Sequence, residues 1–521
     1  MREGGLRRRD FIKVSSLGAL SLMLPEELLN IKFPNSKGRG LIFIVGDGMP
    51  LGVIRAMHEF RTRVLKERTS NFYTLMERRD VLGGYVGTKS LSSIVTDSAP
   101  ASVAWATGSK TANRMLACLP DGRLLKTIME LLKELGYSCG LVTTTRITHA
   151  TPAAWVSHQR NRDAEDDIAL EYLNFKPEVL LGGGNRHFDP LLRKDGRDLY
   201  QEFANAGFDI VRNRRDLLSN KILSSKKSLL GVFNDSHLSY YIDRTKDPSL
   251  GERQPTLPEM TAVALHKLSQ NPKGFILQVE AGRIDHANHS NDAFSALMDT
   301  YELDQTLGVI MKYLQVNPNT LVIVTSDHGN SGWGINGTGP EYNHSTDALL
   351  KYANIKASFE VIKKQIKGKT PQEIKEIFEH YTTFTLTDWE AEEIYKSMQV
   401  GYQPYPGDFL YMPDALLGRA LAHSVYEKGN PNPKIRRGNV GFTSTNHTAE
   451  DQIFLVFGKI THGIRSFLQK PFIDNTDFFK VMCKYFEIKY ENPKMTEEDA
   501  KPFIKVATLE EWKRHLTLHI A

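Results

Sequence analysis

The stretch "LIFIVGDG", Leu41 to Gly48, decides the fold. Its five leading apolar residues show no polar alternation, so both faces of the strand they form are buried, as a largely parallel sheet between layers of helices requires. Gly46, Asp47 and Gly48 then end the run with a turn and a carboxylate. The same kind of run recurs as "CGLV" (139–142), "EVLLG" (178–182), "FILQV" (275–279), "TLVIV" (320–324) and "IFLVF" (453–457). Helical patterns separate them. "LLKTIMELLKEL", Leu124 to Leu135, is apolar at 124, 125, 128, 131, 132 and 135, with Gly136 as a stop signal. Strands alternating with helices imply a three-layer α/β/α domain with a large, mostly parallel central sheet.

In such sheets ligands bind beyond the carboxyl ends of the strands. There the sequence places Asp47, Thr143 to Thr145, Glu280, and Thr325-Ser326-Asp327-His328. The segment "VEAGRIDHANHS" (279–290) adds Asp285 and His289, four residues apart and therefore on one side of a helix, within reach of one metal ion. "GFTSTNHTAED" sets His447 just before the last apolar strand. The three cysteines, Cys118, Cys139 and Cys483, form neither a disulfide framework nor a zinc-ribbon spacing, so bound metals would use His and carboxylates. "VTDSAPASVAWATGSK" (95–110) puts Ser98 at the start of a helix, with Pro100 tolerated in the first turn. A serine there is a helix cap, or a nucleophile whose negative charge the free N–H groups favour.

The chain has 521 residues and a net charge of +5 from 66 basic and 61 acidic residues, which argues for no nucleic-acid partner. "RRRDFIK" (7–13) followed by "VSSLGALSLMLP" (14–25) is too short to span a bilayer and reads as an export signal. Its Arg8-Arg9 pair resembles the twin-arginine address, so the protein is expected outside the cytoplasm, periplasmic or extracellular. The expected organisation is a signal and linker over 1–35, a catalytic core over 36–330 plus 439–521, and an insertion over 331–438. That insertion is Gly- and Pro-rich around three helical segments, two of which open with the capping boxes Thr370 to Glu373 and Thr387 to Glu390. It is expected to fold over the active-site end as a lid, a substrate-selecting cap or a dimer contact, with His344 and His423 as candidates to line the entrance.

Six ordered motifs, "IVGDGM", "TDSAPASVAWATG", "HATPAAWVSHQRNR", "LQVEAGRIDHANH", "VTSDHGN" and "NHTAED", together resemble the alkaline phosphatases. The resemblance covers nearly all of 40–330 and 438–460. It implies hydrolysis of phosphate monoesters, with Ser98 as the phosphorylated nucleophile and Arg162 as the clamp on two phosphoryl oxygens. It implies one zinc ion held by Asp285, His289 and His447 and a second by Asp47, Asp327 and His328. A third ion, usually magnesium, would use Asp47, Thr151 and Glu280. A homodimer is implied as well.

Two positions depart from the best-known bacterial pattern: His149 stands where Asp is usual and His286 where Lys is usual, as in animal-type members. Imidazole is a softer ligand than carboxylate, so zinc or cobalt competes with magnesium for the third position. The competing reading is a sulfatase or phosphodiesterase of the same superfamily. "SAPAS" has Ser102 where the sulfatase pattern has Arg, and Arg162 would pair with oxygens that a diester has esterified. A metal- or phosphate-binding protein without turnover is a third reading, though no expected active-site residue is missing.

Overall fold

The computed structural model describes residues 31–337, 342, 345–399, 413–421, 440–505, 508, 510 and 511. Ten strands build one sheet: β1 (Arg39–Gly46), β2 (Leu82–Gly87), β3 (Ser138–Arg146), β4 (Val179–Gly183), β5 (Phe208–Val211), β6 (Ser228–Val232), β7 (Gly274–Ala281), β8 (Thr320–Thr325), and two C-terminal ones. With the short strands β9 (Gly329–Asn330), β10 (Gly334–Ile335), β11 (Val440–Gly441) and β12 (His447–Thr448) between, those two are β13 (Gln452–Gly458) and β14 (Phe472–Asp474). The order is β14-β2-β13-β8-β1-β7-β3-β4-β6-β5. Within the sheet only β13 runs against its neighbours, β8 and β2.

Successive residues of β1 supply two different cores, as strand geometry demands. Ile42 and Ile44 pack with the helices Leu51–Glu59, Leu257–Leu268 and Ala293–Val316. Leu41, Phe43 and Val45 pack with Ser98–Thr107, Ile128–Glu134, Glu165–Phe175 and Asp477–Phe486. All five are completely buried, and each such side chain contributes about 1.5–3 kcal/mol of hydrophobic stabilisation. Strand, two helical layers and mostly parallel order are the expected α/β/α architecture.

Local details differ from the sequence reading. The helix expected over 124–135 begins only at Ile128, because Thr127 and Glu130 form a capping box there. Leu124 is instead 64% exposed and bridges to Cys118. Glu165 opens the helix Glu165–Phe175 and is buried against Arg146 and Thr148. The insertion holds five helices among the described residues, not three: Thr346–Tyr352, Phe359–Ile366, Pro371–Thr382, Asp388–Ser397 and Asp414–Leu421. Both anticipated capping boxes are present. Its ends meet where β10 pairs antiparallel with β11, and its Ile362, Phe378 and Ile394 join the same core cluster as the long helix Ala293–Val316. His344, His423 and the export pattern of 1–30 lie outside the described residues.

Candidate active site

Register assembles the site. Val45 of β1 lies opposite both Glu280 of β7 and Thr325 of β8, and Thr143 of β3 lies opposite Glu280. The segments leaving these strands therefore emerge side by side, carrying Asp47, Glu280, Asp285, Asp327 and His328. Gly48 makes this approach possible: its φ is +56°, and a Cβ there would stand 2.3 Å from Asp285 Oδ1. His447 arrives from far along the chain through the β12–β9 ladder, opposite Asn330.

Ser98 opens the helix Ser98–Thr107, whose cap is Asp97, accepting from the Ala99 N–H at 2.7 Å. The Ser98 hydroxyl is completely buried and lies 3.2 Å from His328 Nε2. Asp97 also accepts from the Arg114 backbone N–H at 2.6 Å and from Arg162 Nη1 at 3.4 Å. Serine, cap and guanidinium thus form one cluster.

Three histidines share a polarity. His289 Nδ1 faces the Thr445 carbonyl at 2.6 Å, His447 Nδ1 the Thr96 carbonyl at 2.9 Å, and His328 Nδ1 the Gly329 carbonyl at 3.2 Å. A carbonyl only accepts, so each Nδ1 carries a proton, which leaves Nε2 as the nitrogen able to turn a lone pair toward a cation. These Nε2 atoms converge. His289 Nε2 is 3.0 Å from His447 Nε2 and 3.4 Å from Asp285 Oδ2, while His328 Nε2 is 3.1 Å from Asp327 Oδ2 and 3.8 Å from Asp47 Oδ1.

Lone pairs meeting beside buried carboxylates are an arrangement that bound cations resolve, and backbone-oriented imidazoles are how metal ligands are commonly held. The carboxylates agree. Asp47 Oδ1 and Glu280 Oε1 are buried and accept no hydrogen bond from the described residues. Burial, then the charges of Asp327, Asp285 and Glu280, hold the Asp47 carboxyl well above its usual range. Burial likewise pushes Glu280 up. Candidate ligand atoms lie within 4.8 Å of one another in three groups: Asp285, His328 and His447; Asp47, Asp327 and His328; and Asp47, His149 and Glu280. Thr151 stands beside the third, its hydroxyl donating to Asp47 Oδ2 at 3.3 Å.

A second set of histidines faces guanidinium donors instead of carbonyls, His149 and His237 through Nε2 and His286 through Nδ1. Arg162 Nη2 lies 3.0 Å from His149 Nε2, Arg283 Nη1 lies 2.8 Å from His286 Nδ1, and Arg146 Nη1 lies 2.8 Å from His237 Nε2. Guanidinium groups only donate, so these contacts occupy a lone pair on each ring. The three rings cluster, with centroids 4.2 Å apart for His237 and His286, 5.5 Å for His149 and His237, and 5.6 Å for His149 and His286. Burial and then Arg146 drive His237 far below the usual imidazole range, leaving it neutral. His237 and Arg146 escaped the sequence reading. Nothing local marks "NDSHLS", whose His reaches the site only because β4, β6 and β3 are neighbours.

Comparison with known proteins bears on this geometry. The chain matches the alkaline phosphatase family profile over residues 38–488. It is similar to alkaline phosphatase 4 of Bacillus subtilis, at 32% identity over 86% of this chain and 88% of that one. Alkaline phosphatase 3 of the same organism is 31% identical with the same coverage. The crystal structure of Thermus thermophilus alkaline phosphatase superimposes with a TM-score of 0.81 and 35% identity, over 92% of this chain and 99% of that one.

Proposed function

The chain belongs to the alkaline phosphatase family, whose members are metal-dependent hydrolases of phosphate monoesters, and on that premise we propose that it turns over through a phosphoserine on Ser98. The observation that carries the proposal is the buried Ser98 hydroxyl at a helix N-terminus, 3.2 Å from His328 Nε2. The free N–H groups and dipole of that helix favour negative charge on the serine oxygen and on the phosphoryl group it receives.

Arg162 presents a planar fork of donors suited to two phosphoryl oxygens. Asp97 fixes it from one side and His149 from the other. The Ser98 oxygen gives up its proton and attacks phosphorus, the leaving oxygen keeps the electron pair of the broken P–O bond and takes a proton to depart as the alcohol, and water then cleaves the Ser98–phosphate bond, releasing inorganic phosphate and returning a proton to Ser98. Positioning and electrostatics supply most of the acceleration in such transfers.

The donor sets fit two zinc ions, one at Asp285, His289 and His447 and one at Asp47, Asp327 and His328, which when bound supply the Lewis acidity that such displacements use. Asp47, Thr151 and Glu280 are assigned to the third ion, magnesium or zinc. His149 borders that position, but the Arg162 donor already occupies one of its nitrogens, so the third ion is weakly held and exchangeable. We further assign residues 331–438 as a cap on the catalytic core of 36–330 plus 439–521. The twin-arginine pattern supports export, and the family likeness supports a homodimer. Among the described residues no helix is long and apolar enough to cross a membrane.

Hydrolysis of para-nitrophenyl phosphate by the zinc-loaded protein and its Ser98→Ala variant tests the proposal, with the sulfate ester and the bis-ester alongside. The monoester is expected to be the preferred substrate, and the variant to lose at least about a thousandfold in kcat. A variant as active as the wild type would remove Ser98 from the reaction.

A further inference from the structure

Arg283 and Glu360 tie the insertion to the histidines around the third-ion position. Arg283 opens the helix Arg283–His289, which also carries Asp285 and His289. Its guanidinium is almost wholly buried and is committed on three sides. Nη1 donates to His286 Nδ1 at 2.8 Å, Nη2 donates to Glu360 Oε2 at 2.5 Å, and the planar group lies 3.9 Å over the Tyr240 ring. Glu360 belongs to the insertion, in the first turn of the helix Phe359–Ile366.

The start of that helix is itself anchored to the core. Ser358 donates from its backbone N–H and its hydroxyl to Asp243 at 2.9 and 2.7 Å, and the Phe359 N–H donates to Asp292 at 2.8 Å. Glu360 is therefore held at a fixed place relative to Arg283. Because Arg283 only donates, His286 accepts through Nδ1 and carries its proton on Nε2. The His286 ring in turn packs 5.6 Å from His149, the residue shared between Arg162 and the third-ion cluster.

We propose that Glu360 is a positioning residue for the third ion: through Arg283 it fixes the orientation and tautomer of His286, so that the insertion sets how tightly that ion is held. With Glu360 in place, Arg283 is pinned and His286 keeps one polarity. Without it, Arg283 loses its carboxylate anchor and keeps His286 and the Tyr240 ring, so the His286 ring is held less firmly and the third-ion position loses part of its organisation. This inference rests on the assignment of Asp47, Thr151 and Glu280 to the third ion, and its readout is ion binding rather than turnover.

The experiment is equilibrium dialysis of Mn²⁺ against zinc-loaded protein, in which Mn²⁺ binding by the wild type first establishes the third position. Glu360→Gln, His286→Asn and the double variant are compared with it. Glu360→Gln is expected to weaken Mn²⁺ binding by about three- to tenfold, in the lower part of the range of coupling between contacting groups. In the His286→Asn background the same substitution is expected to change nothing. Arg283→Lys, which keeps the charge but loses the fork, is expected to reproduce the weakening and serves if Glu360→Gln does not fold. Ser358→Ala loosens the helix start that holds Glu360 in place and is expected to weaken Mn²⁺ binding in the same direction as Glu360→Gln but by less. An unchanged affinity in both Glu360→Gln and Arg283→Lys would overturn the proposal. So would an equal loss in the presence and absence of His286, which would reduce Glu360 to its charge alone.

Discussion

Two groups of three histidines, buried except for the half-buried His447, sit side by side at the same end of the sheet, one backed by acceptors and the other by donors. His289, His328 and His447 are backed by carbonyl oxygens, which fix a proton on Nδ1 and turn Nε2 inward. His149, His237 and His286 are backed by Arg162, Arg146 and Arg283, whose donors consume a lone pair on each ring. The residue type is the same, and the partner behind it decides the chemistry. Carbonyl-backed imidazoles are ready ligands for a soft or borderline cation. Arginine-backed imidazoles orient guanidinium groups, one of which is the proposed phosphate clamp, and yield to a metal only by giving up that contact.

The sharpest way to break this contrast is within the first group. His447→Ala and His328→Ala each remove an inward Nε2, and each is expected to lower zinc content and para-nitrophenyl phosphate turnover by more than the roughly 10–100-fold typical of changes one step further from the metal. Metal analysis after gel filtration checks the first effect and steady-state kinetics the second. Unchanged zinc content in both variants would remove the distinction between the groups.

Arg162→Ala is expected to fall next in size, losing about 10²–10³ in kcat/KM as one set of aimed donors disappears, with zinc content unchanged. Retained zinc is the informative part, because it separates a phosphate clamp from a metal-site defect. The smallest effect is expected from His149→Asp. A carboxylate is a harder ligand than imidazole and accepts from Arg162 without a choice of tautomer. Magnesium half-saturation should therefore fall by about tenfold, read by activity recovery after dialysis against chelator. A variant that prefers zinc as strongly as the wild type would show that the ring is not what limits magnesium.

Much of this was legible in the sequence. Uninterrupted apolar runs such as Leu41 to Val45 specify buried parallel strands, since no exposed face could carry them. Acids and histidines placed just past those runs mark the active end of the sheet. The spacing of Asp285 and His289 was readable as one helix face, and their side chains do meet. Capping boxes gave the starts of Pro371–Thr382 and Asp388–Ser397 because that signal is contained within four residues. The apolar pattern from Leu124 misled for the converse reason: periodicity counted Leu124 and Leu125, while the Thr127 cap stops the helix from reaching back to them.

What the sequence by itself determined is therefore everything encoded within a few residues or one strand period: strand burial, helix caps, the turn at Gly48, and the roster of acids and histidines. Only the tertiary structure decided which group stands behind each ring. Thr96 behind His447, Thr445 behind His289 and Arg146 on His237 are separated from their partners by 91 residues or more. Those pairings depend on strand order and on the β12–β9 ladder, which no local pattern encodes. The physical reason is that an imidazole's donor and acceptor sides are assigned by its neighbours in space, so the same His is a ligand or an orienting group according to the fold around it.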